Sequence, residues 1–153
     1  MVDIKEITEE FTKLSSSDMG KVRFEENFDK KNHADEIETA EWICEKFGGD
    51  ILLLCESKKQ NEQMPDYLWR DRYWERKGIV SSKVNTVHQR IKKAYSQIDG
   101  KRGGVILDFS KGNMAWSEIE KAVKWSLIRA ARGSTDVIMI KCKEYKVYQV
   151  TKK

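Results

Sequence analysis

Two short aromatic strands around a tight turn are predicted by the segment Pro65-Asp66-Tyr67-Leu68-Trp69-Arg70-Asp71-Arg72-Tyr73-Trp74-Glu75-Arg76-Lys77-Gly78. Tyr, Trp and Leu favour strands, and proline is tolerated at the first residue of a strand. A turn at Arg70-Asp71 places Asp66 opposite Glu75. Because side chains alternate along a strand, Asp66, Leu68, Tyr73, Glu75 and Lys77 then share one face, and Trp69, Trp74 and Arg76 share the other.

This register places two carboxylates side by side. Like charges at directly opposed positions destabilise a sheet. The repulsion between Asp66 and Glu75 is relieved by the ammonium group of Lys77, by a bound divalent cation or by a proton shared between the carboxyls. Each of these is more typical of a nuclease site than of a surface hairpin. The alternative is a turn of another length, which leaves Asp66 and Glu75 in solvent on opposite faces.

The composition predicts one soluble domain. A chain of 153 residues with 39% hydrophobic and 35% charged residues is long enough for a core and is not disordered. We find neither a signal peptide nor an apolar run long enough to span a bilayer. Cys44, Cys55 and Cys142 are expected to be free thiols, and two histidines far from any cysteine argue against a zinc site.

The charge is distributed unevenly. The net charge is only +4, but the sequence up to Glu56 is acidic and basic residues dominate afterwards. The basic residues from the hairpin onward are Lys58, Lys59, Arg70, Arg72, Arg76, Lys77, Lys83, Arg90, Lys92, Lys93, Lys101 and Arg102. A phosphate-binding surface requires such a cluster.

The order of elements predicts an α+β domain with a central, mostly antiparallel or mixed sheet of about six strands. Residues 1–31 are expected to be an N-terminal helix, Asp3 to Leu14, followed by a linker or arm, and residues 32–153 the functional domain. Helices are predicted at 32–47, 84–98 and 117–131, and further strands at 51–55, 105–109, 136–141 and 146–150. Glu36, Glu38, Glu41 and Glu45 are interpreted as a solvated acidic helix face.

A second candidate constellation lies at the start of the helix that follows Lys77. Free amides and the helix dipole attract phosphates, and Ser82, Asn85, Thr86 and Arg90 add polar contacts. Ordinary capping by Ser81 or Ser82 is the competing and compatible interpretation. His88 and Gln97 complete the predicted substrate-binding set, although a lone helical histidine more commonly faces solvent. Trp69 and Trp74 are interpreted as core residues and not as stacking platforms.

The run from Asn32 to the C-terminus resembles the C-terminal tRNA-nuclease toxin domains of CdiA-type contact-dependent growth inhibition proteins. The matching features are Ala40…Gly48-Gly49, Pro65-Asp66, Trp74-Glu75-Arg76-Lys77, Ser82…Asn85-Thr86…Arg90…Lys93-Ala94…Gln97, Val105-Ile106-Leu107-Asp108 and Asp136-Val137-Ile138-Met139-Ile140. They cover about four-fifths of the chain.

The resemblance implies a barnase/EndoU/colicin/RelE-like ribonuclease that cleaves RNA, most commonly tRNA, without a metal or other cofactor. Asp66 or Glu75 would be the base of a transesterification and Lys77 the electrostatic stabiliser. It also implies a cognate immunity protein, delivery within a larger secreted or mobile-element protein, and action in the cytoplasm of a target bacterium. The sequence departs from this pattern in having no histidine pair of the EndoU kind.

A rival resemblance uses the same residues. The order helix, strand, strand with Pro-Asp, strand with Glu-x-Lys, helix and strand also fits the PD-(D/E)xK nuclease core. That resemblance implies a divalent cation such as Mg²⁺ held by Asp66 and Glu75, with Lys77 orienting water. A third hypothesis is a non-catalytic module that binds nucleic acid or a protein partner through the basic hairpin.

Overall fold

The computed structural model describes residues 1–14, 20–55, 65–98 and 103–152. Residues 56–64 and 99–102 lie outside these ranges, and with them the basic residues Lys58, Lys59, Lys101 and Arg102. The elements are β1 Val2–Glu6, α1 Thr8–Lys13, β2 Val22–Phe24, α2 Ala34–Phe47, β3 Ile51–Leu53, β4 Tyr67–Trp69, β5 Arg72–Gly78, α3 Val84–Gln97, β6 Gly103–Asp108, α4 Trp116–Ala130, β7 Ser134–Lys141 and β8 Glu144–Lys152.

The described strands form one mixed sheet of eight strands in the order β1-β8-β7-β6-β5-β4-β3-β2. The α+β class is confirmed, and the sheet is larger than the predicted six strands. Strand β5 lies inside the sheet, antiparallel to β4 and parallel to β6. The strand that carries Glu75 and Lys77 is therefore fixed by hydrogen bonds on both edges.

Helices cover both faces of the sheet. Since side chains alternate along a strand, each central strand contributes to two apolar cores, one on each face. Val105 and Leu107 of β6 pack into the core beneath α3 and α4. Ile106, between them in sequence, packs on the opposite face with α2 and Phe11 of α1. Trp69 and Trp74 are buried in this second core, as predicted. No helix in the described ranges is long and apolar enough to cross a bilayer.

The predicted hairpin register is confirmed. Tyr67 pairs with Trp74, Leu68 with Tyr73 and Trp69 with Arg72. Arg70 and Asp71 form the turn with φ of 55° and 59°, the left-handed conformation that suits the twist of a two-residue hairpin. Arginine is uncommon in this conformation. The Arg70 guanidinium stacks 4.5 Å from the Trp69 ring centroid, which helps to hold Arg70 in the turn.

The N-terminal prediction is wrong in part. Val2–Glu6 is a strand antiparallel to β8, and only Thr8–Lys13 is helical. Ile4, Ile7, Phe11 and Leu14 have helical spacing, but the sheet edge offers β1 backbone partners that no local pattern reveals. Leu14 is exposed. Within the predicted linker, Val22–Phe24 forms β2, parallel to β3. The boundary at residue 31 stays a prediction.

Gly104 is required by the ring of Trp74. A β-carbon at Gly104 would lie 2.3 Å from an atom of that buried ring, so the indole cannot keep its place. We expect Gly104→Ala to lower the free energy of unfolding by about 1–3 kcal/mol, the usual cost of overpacking. Chemical denaturation measures it. Gly78→Ala is the control, since a β-carbon there meets its neighbours no closer than 3.5 Å; equal losses would contradict the expectation.

Candidate active site

Asp66 and Glu75 meet where β4 begins beside β5. The backbone of Asp66 extends the ladder: its N–H donates to Trp74 O (3.0 Å), and its carbonyl accepts from Leu54 N (2.9 Å). Oδ2 of Asp66 accepts the backbone N–H of Arg76 at 2.8 Å. The Asp66 and Glu75 carboxyl groups are hydrogen-bonded to each other. The structure thus brings together the two carboxyls that the sequence placed on opposed strands.

A carboxyl can be hydrogen-bonded to a carboxylate only when a proton lies between them. Glu75 is 2% exposed, and its Oε1 has no other hydrogen-bond partner. Burial raises the pKa of Glu75 to about 8, and the charge of Asp66 acts in the same direction. Burial also raises the pKa of Asp66, opposed by the Arg76 amide. Both shifts favour a proton retained by the carboxyl pair.

Lys77 completes the predicted group. Its Nζ lies 2.8 Å from Oε2 of Glu75, and its side chain is only 12% exposed. The ammonium group, one of the three sequence-derived ways of relieving the carboxylate repulsion, is therefore in place, and the raised pKa values favour a second, a retained proton. Lys77 offers donors beyond the one that faces Glu75, since an ammonium has three. These are available to a phosphate oxygen.

Arg76 points to the other face of the sheet and ties three elements together. Its Nε donates to Oγ1 of Thr39 on α2 at 2.7 Å, and its Nη2 lies 3.0 Å from Oδ2 of Asp108 at the end of β6. The side chain is 11% exposed. A buried guanidinium with partners on two sides fixes β5 in position. Sequence reasoning assigned Arg76 to this face but gave it no role at the site.

Glu36 on α2 is a neighbour of the site that the sequence analysis missed. It is half-buried, and burial followed by the charge of Asp66 raises its pKa. Nδ1 of His33 lies 3.1 Å from Oε2 of Glu36. The interpretation of a solvated face is thus wrong for Glu36, while Glu38, Glu41 and Glu45 are exposed. A cavity of about 440 Å³, lined in part by His33, Glu36 and Arg76, opens beside these groups.

The start of α3 follows Lys77 closely in sequence and exposes polar groups. Ser82 and Asn85 are exposed and Thr86 is half-buried. Lys83 is the N-cap residue, and no side chain caps the helix. Oγ of Ser81 accepts from the Lys83 N–H at 3.1 Å, a local turn, so the interpretation of Ser81 or Ser82 as a cap is wrong. The first amides of α3 have no side-chain cap.

The remaining predicted contacts lie farther along α3. Nδ1 of His88 is 2.8 Å from Oγ of Ser126 on α4, so this histidine is held by the neighbouring helix. Arg90 is exposed, and Gln97 is half-buried with an Oε1 that has no hydrogen-bond partner. At about 1.5 Å per residue, Gln97 lies about 20 Å from the start of α3.

Within the described part of the chain, no three His, Cys, Asp or Glu side chains form a ready-made metal cluster. The candidate set for a cation is the pair Asp66 and Glu75. Cys44, Cys55 and Cys142 are free thiols. Neither observation adds a nucleophile or a cofactor to the site.

No protein-family model matches the sequence, and no curated protein matches it. Among solved structures, the chain is similar to a chain of a CdiA-CT/CdiI toxin and immunity complex from Burkholderia pseudomallei. The TM-score is 0.59 at 14% identity, and the similarity covers 84% of this chain and 98% of that chain. At this identity the likeness concerns the fold.

Proposed function

We propose that this chain is a toxin nuclease whose main substrate is tRNA. Its active site would be of the PD-(D/E)xK type. One observation carries the proposal. The order α2, β3, β4, β5, α3 and β6 places a buried carboxyl pair, Asp66 and Glu75, on adjacent strands with Lys77 beside it. The fold likeness to a chain of a toxin and immunity complex supports the toxin part.

A divalent cation fits this donor set. Hard cations such as Mg²⁺ prefer carboxylate oxygens, and they are commonly held by one or two carboxylates together with water and substrate phosphates. Asp66 and Glu75 supply two carboxylates, and Oε1 of Glu75 is a buried acceptor without another partner. When bound, a cation supplies charge neutralisation and lowers the pKa of water at the site.

The chain's own groups have distinct tasks in this proposal. Asp66 and Glu75 release their shared proton and become acceptors. Lys77 remains fixed by Glu75 and directs its other N–H groups to the non-bridging phosphate oxygens, where negative charge develops. The Arg76 amide fixes the Asp66 carboxylate at 2.8 Å, which limits reorganisation during reaction. The uncapped amides at the start of α3 supply a further place for a phosphate.

Chelation tests the reaction type. With purified protein and bulk tRNA, we expect EDTA to stop cleavage and excess Mg²⁺ to restore it, with Na⁺ at equal ionic strength as the control. Hydrolysis leaves no cyclic phosphate on the product ends. Full activity in EDTA with 2′,3′-cyclic phosphate ends would instead support the metal-independent transesterification, in which Asp66 or Glu75 takes the proton of a ribose hydroxyl.

The remaining parts of the proposal concern partner and place. A toxin nuclease requires a cognate immunity protein in the cell that makes it, and the solved neighbour comes from a toxin and immunity complex. We propose that the chain acts in the cytoplasm of a target bacterium, where its RNA substrate lies, after delivery within a larger protein as in the CdiA-type toxins that it resembles. Inducing the chain in cells and examining total RNA on a gel tests both the target and the toxicity.

A further inference from the structure

A separate cavity of about 320 Å³ lies between the start of α3 and the outer face of α4. Its apolar part is formed by Val84, Met114, Ala122 and Trp125, and Ser82 and Glu118 stand among its polar lining residues. An apolar slot with a few polar groups at its edge is the usual form of a small-ligand site. None of the paired carboxylates or Lys77 belongs to its lining.

Trp125 is the unusual residue of this cavity. It is 41% exposed, whereas the other large aromatic side chains of the described residues are buried or half-buried. The Arg129 guanidinium lies 3.8 Å from its ring centroid, and the His88 ring meets it nearly edge-on at 5.2 Å. His88 is itself held by Ser126 at 2.8 Å. The indole is therefore oriented in advance by two neighbours while part of it remains accessible.

The cavity is close to the candidate active site along the chain. Ser82 follows Lys77 by five residues, which span no more than about 18 Å even when fully extended. The α3 side of the cavity is basic. Helix α3 carries Arg90, Lys92 and Lys93 and no acidic residue, and Lys83 precedes it. A polyanion bound at Lys77 is thus attracted along α3, past the cavity.

We propose that this cavity holds one unpaired base of the substrate strand, a few nucleotides from the scissile phosphate, with Trp125 as its stacking partner. Aromatic stacking beside basic residues is a common way to hold single-stranded nucleic acid. Ser82 and Glu118 are placed to contact the polar edge of the base. A volume of about 320 Å³ is at the small end of the range for ligand pockets, which favours a single base over a protein surface. The inference rests on the proposed nuclease function and names its substrate as unpaired RNA.

Binding of short single-stranded RNA oligonucleotides in EDTA, measured by fluorescence anisotropy, tests the inference without cleavage. Trp125→Ala should weaken binding by about tenfold or more, as expected from the loss of one stacked base, and Trp125→Phe should recover part of it. Ile128→Ala is the matched control, because Ile128 is an exposed apolar residue of α4, 57% accessible, that does not line the cavity. It should bind as the wild type does.

Abasic substitutions along the probe then identify the base. An abasic substitution at one position should lower the RNA affinity of the wild-type protein about tenfold. It should lower the affinity of Trp125→Ala little, because both changes remove the same contact. Equal losses in both proteins at every position would overturn the inference. So would an unchanged RNA affinity of Trp125→Ala combined with weaker binding of an immunity protein, which would make this face a protein interface. The abasic substitution and Trp125→Ala could be coupled in this way in a protein whose wild type cleaves no RNA. That result would support base binding in the cavity and reject the proposed nuclease function.

Discussion

Lys77→Ala is expected to lower the rate of RNA cleavage by roughly a hundred- to thousand-fold, the usual effect of removing one electrostatic stabiliser of a transition state. The fold should survive. Glu75 loses its cation, but its raised pKa of about 8 already leaves the carboxyl protonated at neutral pH, so no bare charge is buried. We expect a change of about 1 kcal/mol in the free energy of unfolding.

Cleavage of bulk tRNA under single-turnover conditions and thermal melts measure these two effects. Lys46→Ala is the matched control, because it removes the same charge from an exposed position on α2, outside the basic surface of α3. The control should retain nearly all activity. If a well-folded Lys77→Ala protein cleaves RNA at the rate of the wild type, the lysine has no part in the mechanism, and the main reason for placing the active site at this hairpin is lost.

Glu75→Gln is expected to stabilise the free protein in alkaline solution while abolishing cleavage. The pKa of Glu75 rises from 4.5 to about 8 on folding, chiefly by burial. Between these values the native state binds more protons than the unfolded chain, so the free energy of unfolding falls as pH rises. The contribution of the protonated Glu75 to the free energy of unfolding is fully present below pH 4.5 and is lost as the pH rises through about 8. A neutral amide removes this dependence, and we expect a gain of about 2–4 kcal/mol at the alkaline end.

Urea denaturation in EDTA across this pH range measures the difference between wild type and Glu75→Gln. Glu45→Gln provides the control, since Glu45 is exposed on α2. The control curve should follow the wild type at every pH. A Glu75→Gln protein whose stability declines with pH as steeply as the wild type's would show that the carboxyl is not the group that titrates.

The hairpin was accessible to sequence reasoning because its information is local. Two residues of turn and strict alternation fix the partner of every side chain between Asp66 and Glu75, and the apolar residues Tyr67, Trp69 and Trp74 assign one face of the hairpin to an apolar core. The long helices α2, α3 and α4 were similarly evident from their apolar spacing.

The missed features depend on contacts between distant residues. Glu36 lies 30 positions before Asp66, and on the helix alone it differs little from Glu38 or Glu41, which face solvent. The partners of Arg76, Thr39 and Asp108, come from two other elements. Strand β1 has only two apolar side chains of its own, Val2 and Ile4, and is defined by its pairing with β8. The spacing of apolar residues along the sequence does not indicate which distant strand a segment pairs with.

The pairing of β1 with β8 also determines how the molecule responds to a mechanical load. Val2 pairs with Lys152 and Glu6 with Tyr148, so the two ends of the ladder nearest the chain termini lie side by side. A tension applied between the termini acts across the strands at that end. It opens the backbone hydrogen bonds in succession, as a zipper opens, and does not load them all at once as shear along the strands would. The sheet thus combines a strand, β5, that is held on both edges with an outer strand, β1, whose hydrogen bonds open one after another under such a tension.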